Sequence, residues 1–150
     1  MEVCIRHGQT IKSRQWWLNN LKKIKRLLLN GLAKSKAKLI KKANVTLLIT
    51  DDKEIRSLNK KYRRKDKPTD VLAFQVDGKY QETFKELGDI VISAQTAKRE
   101  AKELNIAINK ELLLLLTHGY LHLIGYDHKL QKDAKIMFKL QKKIINKLKQ

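Results

Sequence analysis

The chain has 150 residues, 34 Lys and Arg against 15 Asp and Glu for a formal charge of +19, and 42% hydrophobic residues, which suits one globular domain over residues 1–150 with a real core. Its single cysteine, Cys4, excludes an intrachain disulfide or a cysteine-based zinc site, and the longest stretch without a formal charge, residues 112–126, is too short to span a bilayer. The expectation is a soluble, cytoplasmic protein with no export signal or membrane anchor, whose charge points to a polyanion partner, nucleic acid first, or more plainly to lysines on solvated helix faces.

Residues 2–6 alternate in a β-compatible way, and residues 14–32 carry Trp17, Leu21, Ile24 and Leu28 at helical spacing between lysines. Residues 34–42 are basic and read as further helix. Residues 44–50 (NVTLLIT) are rich in β-branched side chains and form the clearest strand, after which Asp51 and Asp52 supply a cap for a helix through Ile55, Leu58 and Tyr62. A charged loop, RRKDKPTD, surrounds the only proline and leads into a strand over residues 71–76 (VLAFQV). Residues 79–86 read as a polar loop, residues 87–93 (LGDIVIS) as a strand, and Ser93 as the cap of a helix with Ala94, Ala97, Ala101 and Leu104 on one face. Asn109 is the expected cap of a helix over residues 110–124, apolar enough at Leu112 to Leu116 to lie in the core. A last amphipathic helix over residues 130–148 aligns Met137, Leu140, Ile144 and Leu148. The fold class is α/β (α+β), a small mixed four-stranded sheet flanked by five or six helices.

Three of the four histidines fall in THGYLHLIGYDH, residues 117–128. His118 and His122 are four residues apart on a predicted helix, so both imidazoles leave the same face about one turn apart. Gly125 permits a left-handed turn, after which the chain can present His128. Three neutral imidazoles leave one position of a tetrahedral zinc site open, as in catalytic zinc, and put the metal site at the end of a core helix; nickel and copper also take imidazole ligands. Any one of these histidines alone reads more plainly as a hydrogen-bonded core residue, and His7, without a neighbour in sequence, keeps that reading. The spacing is close to that of metzincin proteases, H-E-x-x-H-x-x-G-x-x-H, but Gly119 stands where the general-base glutamate belongs, which argues against peptide hydrolysis.

With HGYLHLIGYDH (residues 118–128), SLNKKYRRKDKPTDVLAF (57–74) and LGDIVIS (87–93) in this order, the chain resembles the YbeY family of bacterial metal-dependent endoribonucleases and ribosomal RNA maturation factors across residues 45–140. The resemblance implies that His118, His122 and His128 bind one zinc ion and that Arg63, in the N-x-x-Y-R element, serves activity. It also implies a small mixed sheet flanked by helices, and work on ribosomal RNA, including the 3′ end of the small-subunit RNA, and on ribosome quality. The chain departs from its relatives in its basic stretch over residues 21–42, which has no acid, and in Lys129, where relatives often carry an acidic residue.

These parts suit phosphodiester cleavage. Zinc would polarise a phosphoryl oxygen or lower the pKa of a water, and the Arg63 guanidinium matches the charge of a phosphate, although Arg63 is also one cation among many in KKYRRKDK. Lys60, Lys61, Arg64, Lys65 and Lys67 are the nearest candidates for phosphate contacts that weaken with salt. Tyr62 is suited to stacking on an unpaired base and equally to the core; Trp16 and Trp17 read as one partly exposed and one buried. Asp127 reads as a support for a ligand or a cap of the following turn, Thr69 and Asp70 as cleft or turn residues, and Asp89 as structural. The expectation is a zinc-dependent endoribonuclease with His118 and Arg63 as catalytic residues, acting on single-stranded RNA, ribosomal RNA and the ribosome; the alternative is a non-catalytic zinc-containing ribosome assembly or RNA-binding factor.

Overall fold

The computed structural model describes residues 1–149. Its elements in chain order are β1 (Glu2–Ile5), α1 (Arg14–Leu29), α2 (Lys34–Lys42), β2 (Asn44–Thr50), α3 (Asp52–Arg63), β3 (Val71–Gln75), α4 (Gly78–Phe84), β4 (Glu86–Ser93), α5 (Ala94–Glu103), α6 (Ile108–Leu123) and α7 (Gln131–Leu148). The four strands form one mixed sheet in the order β1-β2-β4-β3, with β1, β2 and β4 parallel and β3 antiparallel to β4.

Strand alternation sorts the core onto two faces. Leu47 and Ile49 of β2 and Ile90 and Ile92 of β4 join the main apolar cluster, together with Trp17, Leu21, Ile24 and Leu28 of α1 and Leu112, Leu116 and Tyr120 of α6. On the other face Leu72 of β3 and Val91 of β4 pack with Ile55 of α3, and Leu48 and Phe74 border them. The sheet thus has α6 against one face and α3 against the other. This arrangement brings the C-terminal end of α3, the start of β3 and the C-terminal half of α6 together around one cavity.

Local chemistry explains most boundaries. Ser13 accepts a hydrogen bond from the Trp16 amide, Asp51 from Glu54 and Ser93 from Thr96, each satisfying an otherwise unpaired donor at a helix start. Beyond shifts of one to three residues at other element ends, the structure departs from the sequence expectation in two places. The polar segment after Asp77 is a seventh helix, α4, with the Asp77 side chain accepting from the Lys79 amide; its one buried residue is polar, so it carries no apolar stripe to announce it. Its Gln81 amide donates to the carbonyls of Leu87 and Leu123, tying α4 to β4 and α6. The helix α6 begins one residue before Asn109, behind Ala107, with no side-chain cap, because burial of its apolar faces replaces the cap as the source of stability. No helix among the described residues is long and apolar enough to cross a membrane.

Candidate metal centre

The histidine cluster is assembled by the way α6 ends. Gly125 adopts a left-handed conformation at φ 92°, the Gly125 amide donates to the His122 carbonyl at 3.0 Å, and the Tyr126 amide donates to the Leu121 carbonyl at 3.0 Å. This pair of bonds is the Schellman termination, which needs a residue tolerant of positive φ at Gly125. The chain then doubles back, and Asp127 holds the turn by accepting from the amides of His128 at 2.7 Å and Lys129 at 3.3 Å. Asp127 is therefore the cap of the turn.

His118 and His122 meet with their Nε2 atoms 3.1 Å apart, and the His128 ring lies 5.4 Å and 5.1 Å from theirs, centre to centre. One ring nitrogen of each histidine lies within 4.8 Å of those of the other two. The Nδ1 of His118 donates to Oε1 of Gln141 on α7 at 2.9 Å, which turns the Nε2 lone pair of His118 toward its neighbours. Phe138, one turn before Gln141, stacks on His128 with 6.2 Å between ring centres.

A metal fits this donor set. Two imidazoles on one tetrahedral zinc place their donor atoms roughly 3.3 Å apart, given bonds of ~2.0–2.1 Å, close to the 3.1 Å found here. Burial, then the nearby charges of His118 and His128, push the His122 pKa down to about 4, and burial lowers that of His118 against the opposing bond from Gln141. Both rings therefore stay neutral near pH 7, as metal ligands must be. The three histidines could hold a metal ion.

They line a cavity of about 670 Å³ shared with Arg63 and Asp70. Arg63 is the last residue of α3, and Arg64 closes that helix in a left-handed conformation, its amide donating to the Asn59 and Lys60 carbonyls, so the Arg63 side chain is left exposed at the cavity rim. Lys60, Lys61, Arg64, Lys65 and Lys67 are exposed on the flank of the same helix end, outside the cavity wall. Lys60 pairs with Asp66 at 3.4 Å, and Lys61 lies 5.1 Å above the Tyr62 ring. Tyr62 is 57% exposed with its edge against Phe74, so it is no core residue. Trp17 is buried and Trp16 half-buried. His7 lies apart from the cluster, with its Nε2 3.2 Å from Glu54.

Gly119 explains why no general-base glutamate follows His118. A Cβ there would stand 2.8 Å from Cγ2 of Ile90 on β4, so the position faces the sheet and has no room for a longer side chain. Sequence reading missed Gln141. Its signal is a polar residue one turn after Met137, on a face whose other members are apolar, and at 8% exposure it is nearly as buried as they are.

A family model described as Endoribonuclease YbeY matches residues 10–149. The chain belongs to the YbeY family. It is 49% identical over 105 residues to the Endoribonuclease YbeY of Sulfurihydrogenibium sp., covering 69% of each chain, and 40% identical over 139 residues to that of Aquifex aeolicus, covering 92% of this chain and 88% of the relative. The solution structure of a Thermotoga maritima protein superposes with a TM-score of 0.63 at 32% identity, covering 97% of this chain and 87% of the other. The YbeY family model takes in α3, β3, α6 and α7, the elements that supply Arg63, Asp70, the histidines and Gln141.

Proposed function

We propose that this YbeY-family protein is a zinc-dependent endoribonuclease that cuts single-stranded RNA in the cytoplasm. Its substrates are ribosomal RNA and the ribosome, its tasks are maturation of the small-subunit RNA 3′ end and ribosome quality control, and its 150 residues act as one domain. The observation that carries this reading is the convergence of three imidazoles on one wall of a cavity that has Arg63 at its rim.

His118, His122 and His128 would hold the zinc ion, a set of three ligands that leaves one coordination position for substrate or water. When bound, the ion supplies Lewis acidity toward phosphoryl and water oxygens. Gln141 keeps the Nε2 of His118 free of its proton and aimed inward. Arg63 offers a planar pair of donors to the non-bridging oxygens of the scissile phosphate and offsets the charge that builds on them. Lys60, Lys61, Arg64, Lys65 and Lys67, on the flank beside Arg63, engage neighbouring phosphates without reading sequence. A single strand bends its backbone into such a cavity, whereas a stiff duplex does not.

The test is a cleavage time course on labelled single-stranded ribosomal RNA, comparing metal-assayed wild type with His118→Ala and Arg63→Ala. The expected result is cleavage by wild type alone, abolished by a chelator. Equal cleavage by all three preparations refutes the reading. Zinc and RNA binding by a wild type that never cuts would favour the assembly-factor role instead.

A further inference from the structure

A second group of ionisable side chains meets at the edge of the same cavity. Asp70 just before β3, Glu100 on α5 and Glu111 on α6 each place a carboxylate oxygen within 4.8 Å of the others. In a chain of charge +19, none of the described ion pairs reaches any of the three. Glu111 is 3% exposed, with burial and the charge of Asp70 acting on it and no side-chain hydrogen bond among the described residues to offset them. Like charges at this separation disfavour one another's ionisation. Burial, then the charges of Asp70 and Glu111, push the Glu100 pKa up to about 7, and burial first raises that of Glu111. Glu100 and Glu111 therefore hold their protons to higher pH than free carboxyl groups do.

Asp70 alone of the three lines the cavity with His118 and Arg63. Its Oδ1 accepts from the Val71 amide at 2.7 Å and the Thr69 hydroxyl at 3.1 Å, and its carbonyl accepts from the Ser93 amide at 2.9 Å, so its position is fixed from two strands. Both of these bonds fall on Oδ1, and the two lone pairs of Oδ2 can accept a carboxyl proton and still serve chemistry.

We propose that Asp70 is a further catalytic residue, the base that takes the proton of the hydroxyl attacking the scissile phosphate, with Glu100 and Glu111 as positioning residues behind it. This rests on the endoribonuclease reading above. The attacking oxygen forms its bond to phosphorus as its proton passes to Asp70. The bond from phosphorus to the leaving oxygen breaks with its electron pair on that oxygen, which takes a proton from solvent. Asp70 then returns its proton to solvent. Protonated Glu100 donates a hydrogen bond to Asp70 and keeps a second negative charge away from the phosphate. The groups facing Glu100 are Asp70 before β3, Glu111 on α6 and Glu103 on its own helix, all acidic, and the charge of Asp70 also reaches His118. Above pH 7 Glu100 ionises, and the added charge weakens phosphodiester binding, so KM rises.

The test measures kcat and KM between pH 6 and 8 for zinc-loaded wild type, Asp70→Asn, Glu100→Gln and His118→Ala, with zinc content and RNA binding followed in parallel. Asp70→Asn keeps an acceptor for the Val71 amide; it is expected to bind zinc and RNA as wild type does and to cut on the order of 100-fold more slowly. Glu100→Gln keeps the donor without the charge, and is expected to show no rise in KM between pH 6 and pH 8. Cleavage by Asp70→Asn within threefold of wild type, or loss of its zinc or RNA binding along with its activity, overturns the proposal. So does uptake of a second magnesium or manganese ion by wild type that Glu111→Gln abolishes, since the cluster is then a cation site. Undiminished cleavage by His118→Ala refutes the metal-centre reading separately.

Discussion

Gly119→Ala tests how the sheet positions the metal ligands. The added Cβ would lie 2.8 Å from Cγ2 and 3.3 Å from Cδ1 and Cγ1 of Ile90, which is wholly buried in the middle of β4. Carbon atoms pack at ~3.5–4.0 Å, so α6 must move away from the sheet by a good part of an ångström. Overpacking of this kind costs about 1–3 kcal/mol, while alanine in a helix interior recovers about 1 kcal/mol over glycine. The net loss is about 0–2 kcal/mol, a fall in Tm of up to roughly 8 °C for a chain of this size. Because His118 precedes Gly119 directly, the shift also carries α6 ligands away from His128 and Gln141 on the following segment, with an expected loss of about tenfold in zinc affinity. Thermal melts and zinc titration against a competing chelator measure the two effects. Gly78→Ala is the control, since nothing lies within 4 Å of its added Cβ, and it is expected to leave both values unchanged. A Gly119→Ala protein as stable as wild type, with unaltered zinc affinity, would refute this account of the helix–sheet contact.

Gln141→Leu removes the acceptor at 2.9 Å from Nδ1 of His118 while keeping the packing volume, and is expected to cost 10- to 100-fold in zinc affinity, read by the same titration, with little change in helix content by circular dichroism. In chelated protein, the lowered pKa of His122 makes its contribution to stability complete above its unfolded value of 6.5 and progressively lost as the pH falls toward about 4. Glu100, raised from 4.5 to about 7, runs the other way, stabilising at low pH and losing that contribution as the pH rises. The histidine effect is therefore read as the urea-midpoint difference between wild type and His122→Asn, expected to shift against wild type from pH 6.5 to 4.5; a constant difference would contradict it. Replacing Lys60, Lys61 and Lys65 with Gln is expected to weaken RNA binding evenly across sequences and flatten its salt dependence, and unchanged affinity at all salt concentrations would remove these lysines from the interface.

Spacing along the chain sufficed for the histidine pair, its turn and the main stripes, which depend on a few neighbouring residues. The i, i+4 pair of His118 and His122 follows from helix geometry alone, and Gly125 announces the left-handed turn that returns His128 to them, because both are properties of backbone dihedrals within one short segment. The stripes of α1 and the alternation of β2 were legible for the same reason. The helix α4 was not, since its only buried residue is polar and held by hydrogen bonds to β4 and α6 that no local pattern encodes. Arg63 owes its place beside the histidines to α3 and α6 covering opposite faces of a sheet whose edge strand, β3, separates them. Gln141 meets His118 from 23 residues away, and Asp70, Glu100 and Glu111 converge from three elements. Contacts between such distant stretches carry no period in the chain; they exist because both apolar faces of one sheet are buried by helices that come from different parts of the sequence.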